Sequence, residues 1–211
     1  SWRGAGAVGS AVPGQVNLNL SSFVAYDDTD NDCLTVFELA AALDTMKAAR
    51  GGKALEVLGL DACLAATTEA LFQLRRGTDL VVASPSTIPM SGFAYRTPLA
   101  ALRADTALAP EKLAESFVKA FIDAQDSGNQ VMGAFRTAAA EDLTAALDRL
   151  SIELVRAQRE VGGVKLASLS VYGDSKLYWD VKRIAERVAD PATDLKGATH
   201  AEALRQAART A

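Results

Sequence analysis

Leu58-Gly59-Leu60-Asp61-Ala62-Cys63-Leu64 runs into Ala65-Ala66-Thr67-Thr68-Glu69-Ala70-Leu71-Phe72-Gln73-Leu74, and Arg75-Arg76-Gly77 closes the stretch. The first part is a short apolar run that ends in an acid, a small residue and a cysteine. Glu56 to Leu60 reads as a buried parallel strand, because it is short, apolar and followed by a helical pattern. Ala65 to Leu74 has apolar residues at helical spacing, with basic residues after it and Gly77 just beyond, where a helix terminates. Cys63 is therefore expected between the carboxyl end of a strand and the amino end of a helix. Open α/β sheets place their ligands there, and a helix amino terminus favours a thiolate over a thiol. A buried structural cysteine is the competing reading, and position alone leaves both open.

The rest of the chain fits an α/β reading. Residues 1 to 20 are rich in Gly, Ser and Asn and read as loop. Ser21 to Tyr26 is expected as a short strand, and Asp27 to Asp32 as an acidic turn. That turn invites a calcium reading: an EF-hand register starting at Asp27 puts Glu38 at the bidentate position. Thr29 and Asn31 are weak ligands there, and Asp32 replaces the glycine of the sharp turn, so a solvated turn entering a helix is the favoured reading. Val36 to Ala49 reads as an amphipathic helix ended by Arg50-Gly51-Gly52. Leu80 to Ala83 is a second buried strand, and Pro85 to Tyr95 a loop leaving its carboxyl end, placed to line a pocket. Helices follow at Pro98 to Ala104 and from Pro110 to about Gln125, the latter opened by proline in its first turn. After the turn Asp126 to Asn129 come a third strand, Val131 to Phe135, and a long helix, Glu141 to Arg159. Val164 to Tyr172 is ambiguous between helix and strand. Helices near Lys176 to Val188 and Ala201 to Ala207 complete the pattern.

The Asp61-Ala62-Cys63-Leu64 core, with Glu69-Ala70 and Leu80-Val81-Val82-Ala83-Ser84 behind it, resembles the clostripain family of cysteine peptidases, relatives of caspases, legumain and gingipains. So do Ala25-Tyr26-Asp27-Asp28-Thr29, Leu34-Thr35, Glu38-Leu39 and the run Val131 to Leu147. The resemblance implies a caspase-like three-layer sandwich with a mostly parallel sheet. Residues 1–211 would be the C-terminal part of one such peptidase domain, with a largely helical extension from about residue 139. It implies Cys63 as nucleophile, its own N–H as an oxyanion donor, and Asp61 as the acid of the S1 pocket that pairs with a basic P1 side chain. A helix N-cap is the structural alternative for Asp61. Ser84, Thr87 and Ser91 are the polar side chains expected along the pocket. Where relatives often carry acids, this loop has Pro85, Ile88 and Ser91, so the preference for a basic P1 side chain is expected to weaken and small or apolar P1 groups stay open.

A thiol peptidase needs a base near its sulfur. The single histidine, His200, falls in an Ala-rich terminal helix and reads as a surface residue. In the resembling family the base belongs to a His-Gly motif before the cysteine, often followed by a Trp-containing loop, and Ser1-Trp2-Arg3-Gly4 resembles the tail of that loop. The expected partner is accordingly an N-terminal chain of the same precursor that carries the His and the first strands, giving a processed heterodimer. Its strands would also cover the edge beside Glu56 to Leu60. The expected activity is cleavage of protein or peptide substrates after Arg or Lys. The rival readings are a caspase-like binding module that lacks the His, and a thiol hydrolase or acyltransferase of unrelated fold, which leaves the flanking matches unexplained.

Composition bounds these readings. The 211 residues carry a formal net charge of −4, are 49% hydrophobic and 23% charged, and include two cysteines. A packed α/β core is affordable, nucleic acid is not an indicated partner, no apolar run is long enough to span a membrane, and there is no disulfide framework. Cys33 sits in the acidic turn region and reads as incidental. No cofactor motif and no metal-ligand cluster stands out.

Overall fold

One strand organises the first half of the molecule. In the computed structural model, which describes residues 2–4, 23–125, 130–161, 180–190 and 201–210, Thr78–Ala83 forms strand β5 at the centre of a three-stranded sheet. Leu55–Gly59 (β4) lies on one side and Gly133–Arg136 (β6) on the other. Alternate side chains of a strand point to opposite faces, and β5 buries both. Val81 and Ala83 enter a core with Leu43, Leu60, Ala70 and Leu74. Leu80 and Val82 enter a second core with Phe93, Ala114, Phe121 and Met132. Helices α1 (Val36–Ala49) and α2 (Thr68–Leu74) supply the first face, and α4 (Pro110–Asp123) the second. This is the layered α/β arrangement expected from the sequence.

The sheet is mixed. β4 and β5 are parallel, with Val57 opposite Leu80 and Gly59 opposite Val82, joined through the α2 crossover. β6 runs antiparallel to β5, with Gly133 opposite Ala83. Two helices, α3 (Arg96–Ala104) and α4, intervene between β5 and β6. The chain thus returns beside the end of β5 that it left, and β6 runs back along it.

A separate antiparallel sheet joins β1 (Trp2–Gly4), β2 (Phe23–Asp27) and β3 (Asp32–Thr35) in that order. Two expectations change here. Trp2–Gly4 is strand, not loop, because it pairs with Ala25–Asp27. Cys33 lies on a strand opposite Tyr26, not in a turn. Both pairings bring together distant residues, which local composition does not report. β3 leads into α1 through a capping box: the Thr35 hydroxyl accepts from the Glu38 N–H at 3.1 Å, and Glu38 accepts from the Thr35 N–H at 2.8 Å. Asp27 accepts from the Thr29 N–H at 2.9 Å. These bonds engage both ends of the candidate calcium loop, and no group of three metal-ligating side chains is present among the described residues.

Gly77 serves close packing. A Cβ there would stand 2.4 Å from Leu43 Cβ, so glycine lets α1 approach the start of β5; its N–H also donates to Leu74 O at the end of α2.

The chain divides into two compact units, residues 1–140 and 141–211. In the second, α5 (Ala140–Val161), α6 (Val181–Ala189) and α7 (Ala201–Arg209) bury Leu150, Ala185, Val188, Leu204 and Ala208 together. No helix among the described residues is long and apolar enough to cross a membrane. His200, the turn 126–129, the segment 164–172 and most of 1–20 lie outside the described residues.

Candidate active site

The ladder between β4 and β5 ends where the Leu60 N–H donates to Val82 O at 2.9 Å. Beyond it, Asp61 to Leu64 turn across the carboxyl ends of the two strands. Ala62 is buried against the core. Leu64 takes a positive φ of 56°. A left-handed leucine costs about 1 kcal/mol, and such residues persist where neighbours hold them. The Leu64 N–H donates to Ser86 O at 2.9 Å, and the Ala66 N–H to Ser84 O at 3.0 Å. The turn is thereby stitched to the segment that leaves β5.

The half-buried Cys63 Sγ meets that same segment. It accepts from the Ile88 N–H at 3.2 Å and lies 3.8 Å from Ile88 O. Among the described residues the Cys63 N–H donates to no acceptor. The helix, expected to open at Ala65, begins at Thr68, capped by the Thr67 hydroxyl on the Ala70 N–H at 3.2 Å. Thr67 wins because a hydroxyl acceptor at the N-cap satisfies a free helical donor, while the backbone of Ala66 is already committed to the strand-end segment. The donor at the sulfur is a loop amide instead of a helix terminus.

Asp61 is exposed and does not cap the helix. Its Oδ2 accepts from the Tyr95 hydroxyl at 2.8 Å and from the Phe93 N–H at 3.2 Å. Burial, then the hydrogen bond and the charge of Asp61, push the Tyr95 phenol up to about 12, so it stays protonated as a donor. Gly92, at φ +65°, lies directly under the carboxylate: a Cβ there would be 2.4 Å from Oδ2. Phe93 is buried, and its ring packs 5.9 Å from Tyr95 and 6.0 Å from Phe117 between centroids. Gly92, Phe93 and Tyr95 were not among the expected site residues. A glycine before two spaced aromatics, in a loop leaving a strand's carboxyl end, was the available signal.

Ser84 is fully buried. Its hydroxyl donates to Val131 O at 2.6 Å, with Ser86 O at 3.0 Å, and accepts from the Ser86 N–H at 3.0 Å. These bonds anchor the base of the loop. Thr87 and Ser91 are exposed along it, and Met90 at its tip is 99% exposed. Cys33 belongs to the other sheet, and burial, then Asp32 and Glu38, raise its thiol above the ordinary range. A groove along α4, lined by Lys112, Glu115, Lys119 and Asp123, contains neither Cys63 nor Asp61, and its charges pair with one another.

One loop, Pro85 to Tyr95, thus touches the thiol through Ile88 and the acid through Phe93 and Tyr95. The arrangement offers a thiol, an unengaged amide beside it and a carboxylate with one oxygen open.

The sequence profile of the clostripain family matches residues 9–195. No curated protein was found to match the chain in sequence. Among solved structures, a B. fragilis cysteine protease is similar in fold, with TM-score 0.57 and 20% identity over 88% of this chain and 74% of its own. A secreted C11 cysteine protease from Bacteroides thetaiotaomicron, in complex with an irreversible peptide inhibitor, matches with TM-score 0.53 and 19% identity, over 86% of this chain and 48% of its own. An inactive zymogen C11 protease from Parabacteroides distasonis matches with TM-score 0.55 and 17% identity, over 81% of this chain and 44% of its own. The chain therefore spans less than half the length of these last two. At such identities the likeness is one of fold, and the fold shared is the caspase-like one.

Proposed function

This chain belongs to the clostripain family, and from that premise we propose that it is the nucleophile-bearing part of a cysteine endopeptidase that cleaves after Arg or Lys. The observation that carries the reading is the turn from Asp61 to Leu64 across the strand ends. It offers Cys63 with a loop amide on its sulfur and an unengaged amide of its own.

In this reading the Cys63 thiolate attacks the scissile carbonyl. The Ile88 N–H donates to the sulfur and fixes its position. The Cys63 N–H receives the oxyanion, in the role that backbone donors play in acyl transfer. A histidine base takes the thiol proton and delivers it to the leaving amine, so the C–N bond breaks as the thioester forms. Water, deprotonated by the same base, then hydrolyses the thioester and regenerates the thiol. The family resemblance implies a His-Gly pair for the base and a second oxyanion donor, and we assign it to the N-terminal chain of the same precursor. That a similar structure is described as an inactive zymogen supports a processed precursor. Asp61 faces the P1 side chain and neutralises its positive charge.

The test is covalent labelling of the complete enzyme with a peptidyl chloromethyl ketone bearing Lys or Arg at P1. Peptide mapping is expected to find the adduct on Cys63 and not on Cys33, and Cys63→Ala to abolish both labelling and hydrolysis. An unlabelled Cys63 in the complete protein would favour the binding-module reading, and full activity of Cys63→Ala would remove Cys63 as nucleophile.

A further inference from the structure

The Asp61 carboxylate is asymmetric. Oδ2 carries two donors, the Tyr95 hydroxyl and the Phe93 N–H, and a carboxylate oxygen has about two lone-pair directions. Oδ2 is therefore filled by the protein itself. Oδ1 accepts no hydrogen bond among the described residues. The phenol is held in place by its ring, which packs at 5.9 Å against Phe93 and at 6.1 Å edge-on against Phe117. Gly92 leaves room for the carboxylate in this orientation, since a Cβ there would stand 2.4 Å from Oδ2 and 2.9 Å from Oδ1.

We propose that Tyr95 is a specificity-determining residue that leaves Asp61 a single open acceptor and so sets the S1 site for Lys over Arg. The inference rests on the reading of Asp61 as the P1 acid. A guanidinium gains its advantage from a planar fork that meets both carboxylate oxygens in parallel. With Oδ2 filled, the fork meets one oxygen and leaves donors unmatched. An ammonium is a compact charge with rotatable donors, and one open oxygen serves it well. The protonated state of the phenol keeps Oδ2 filled throughout the working pH range.

The experiment uses the complete enzyme, with matched peptide amides bearing Lys, Arg or Ala at P1. It is paired with calorimetric binding of peptides ending in Lys, Arg or Ala to the Cys63→Ala form. Wild type is expected to process Lys several-fold better than Arg, mostly through KM. Tyr95→Phe keeps the ring and frees one direction of Oδ2; the Arg-to-Lys ratio is expected to rise about tenfold in kcat/KM and in affinity. A merely structural role for the hydroxyl would lower both substrates together and leave the ratio in place. An unchanged ratio in Tyr95→Phe, or a wild-type preference for Arg, overturns the proposal. Asp61→Asn separates the two failures. If it erases the advantage of basic over Ala peptides, Asp61 is the P1 acid and the Tyr95 result stands by itself. If the advantage survives Asp61→Asn, the P1 reading falls and the role of Tyr95 falls with it.

Discussion

Gly92→Ala is the sharpest probe of the site, because the substitution adds one methyl group where the structure has no room. The added Cβ would stand 2.4 Å from Asp61 Oδ2, 2.9 Å from Oδ1 and 3.0 Å from Cγ. The carboxylate must turn, and it then loses the bonds from the Tyr95 hydroxyl and the Phe93 N–H. Each such bond to a charged group is worth about 1 kcal/mol once discounted for the exposure of Asp61. The φ of +65° adds about 1 kcal/mol of strain for alanine. The sum is about 2–3 kcal/mol, borne at the acid that the proposed function assigns to P1. Steady-state kinetics on a Lys-P1 peptide amide should therefore show kcat/KM reduced roughly 30- to 150-fold. The same sum should lower the melting temperature by about 4–12 °C for a chain of this size. Gly92→Asn divides the two causes. Asparagine tolerates the left-handed region but carries the same Cβ, so most of the kinetic loss should remain. Gly92→Ala activity within threefold of wild type would refute the described fit of Gly92 under the carboxylate and, with it, the fixed orientation of Asp61.

Ser84→Ala removes a buried hydroxyl and strands Val131 O and the Ser86 N–H; urea denaturation should report a loss of about 1–3 kcal/mol, and an unchanged midpoint would mean that the hydroxyl does not anchor the loop. Glu38 is held below the ordinary glutamate range by the Thr35 N–H and hydroxyl. Its contribution to stability is present above the unfolded-state value and is lost as pH falls through the lowered folded value. The stability difference between wild type and Glu38→Ala, followed by denaturation across pH, should thus close in acid, and a constant difference would reject the capping role of the charge.

The parts of this fold that could be read from sequence are those set by local pattern. Val36 to Ala49 is legible as helix because it reads as amphipathic and Arg50-Gly51-Gly52 ends it, and the structure places α1 at Val36–Ala49. β5 is legible because Leu80 to Ala83 is apolar without alternation, which is what burial on two faces requires. What could not be read was set by distant partners. The antiparallel sense of β6 follows from two intervening helices, not from its own residues. β3 exists because Tyr26 and Cys33 pair across a turn. The start of α2 moved to Thr68 because Ala66 bonds to Ser84, a residue beyond the next strand.

The same distinction runs through the site. Cys63 and Asp61 stand out from local pattern and family resemblance, while Tyr95, Phe93 and Gly92 act on Asp61 from more than thirty positions away in sequence. Their loop cannot be treated as a set of independent contacts. It begins at Ser84, pinned to the residues before β6, passes the sulfur at Ile88, and ends on the carboxylate at Tyr95. A displacement at either end reaches the other through one short stretch of backbone, turned by the Gly92 N–H on Pro89 O at 2.9 Å. Residues that share such a connection couple when mutated together. Ser84→Ala combined with Tyr95→Phe should therefore depart from additivity in kcat/KM for a Lys substrate, because the first change loosens the frame against which the phenol holds the acid. Additivity within experimental error would mean that the ends of the loop are fixed separately, Ser84 by β6 and Tyr95 by its aromatic neighbours. The coupling of thiol and acid through Pro85 to Tyr95 would then be geometric proximity alone.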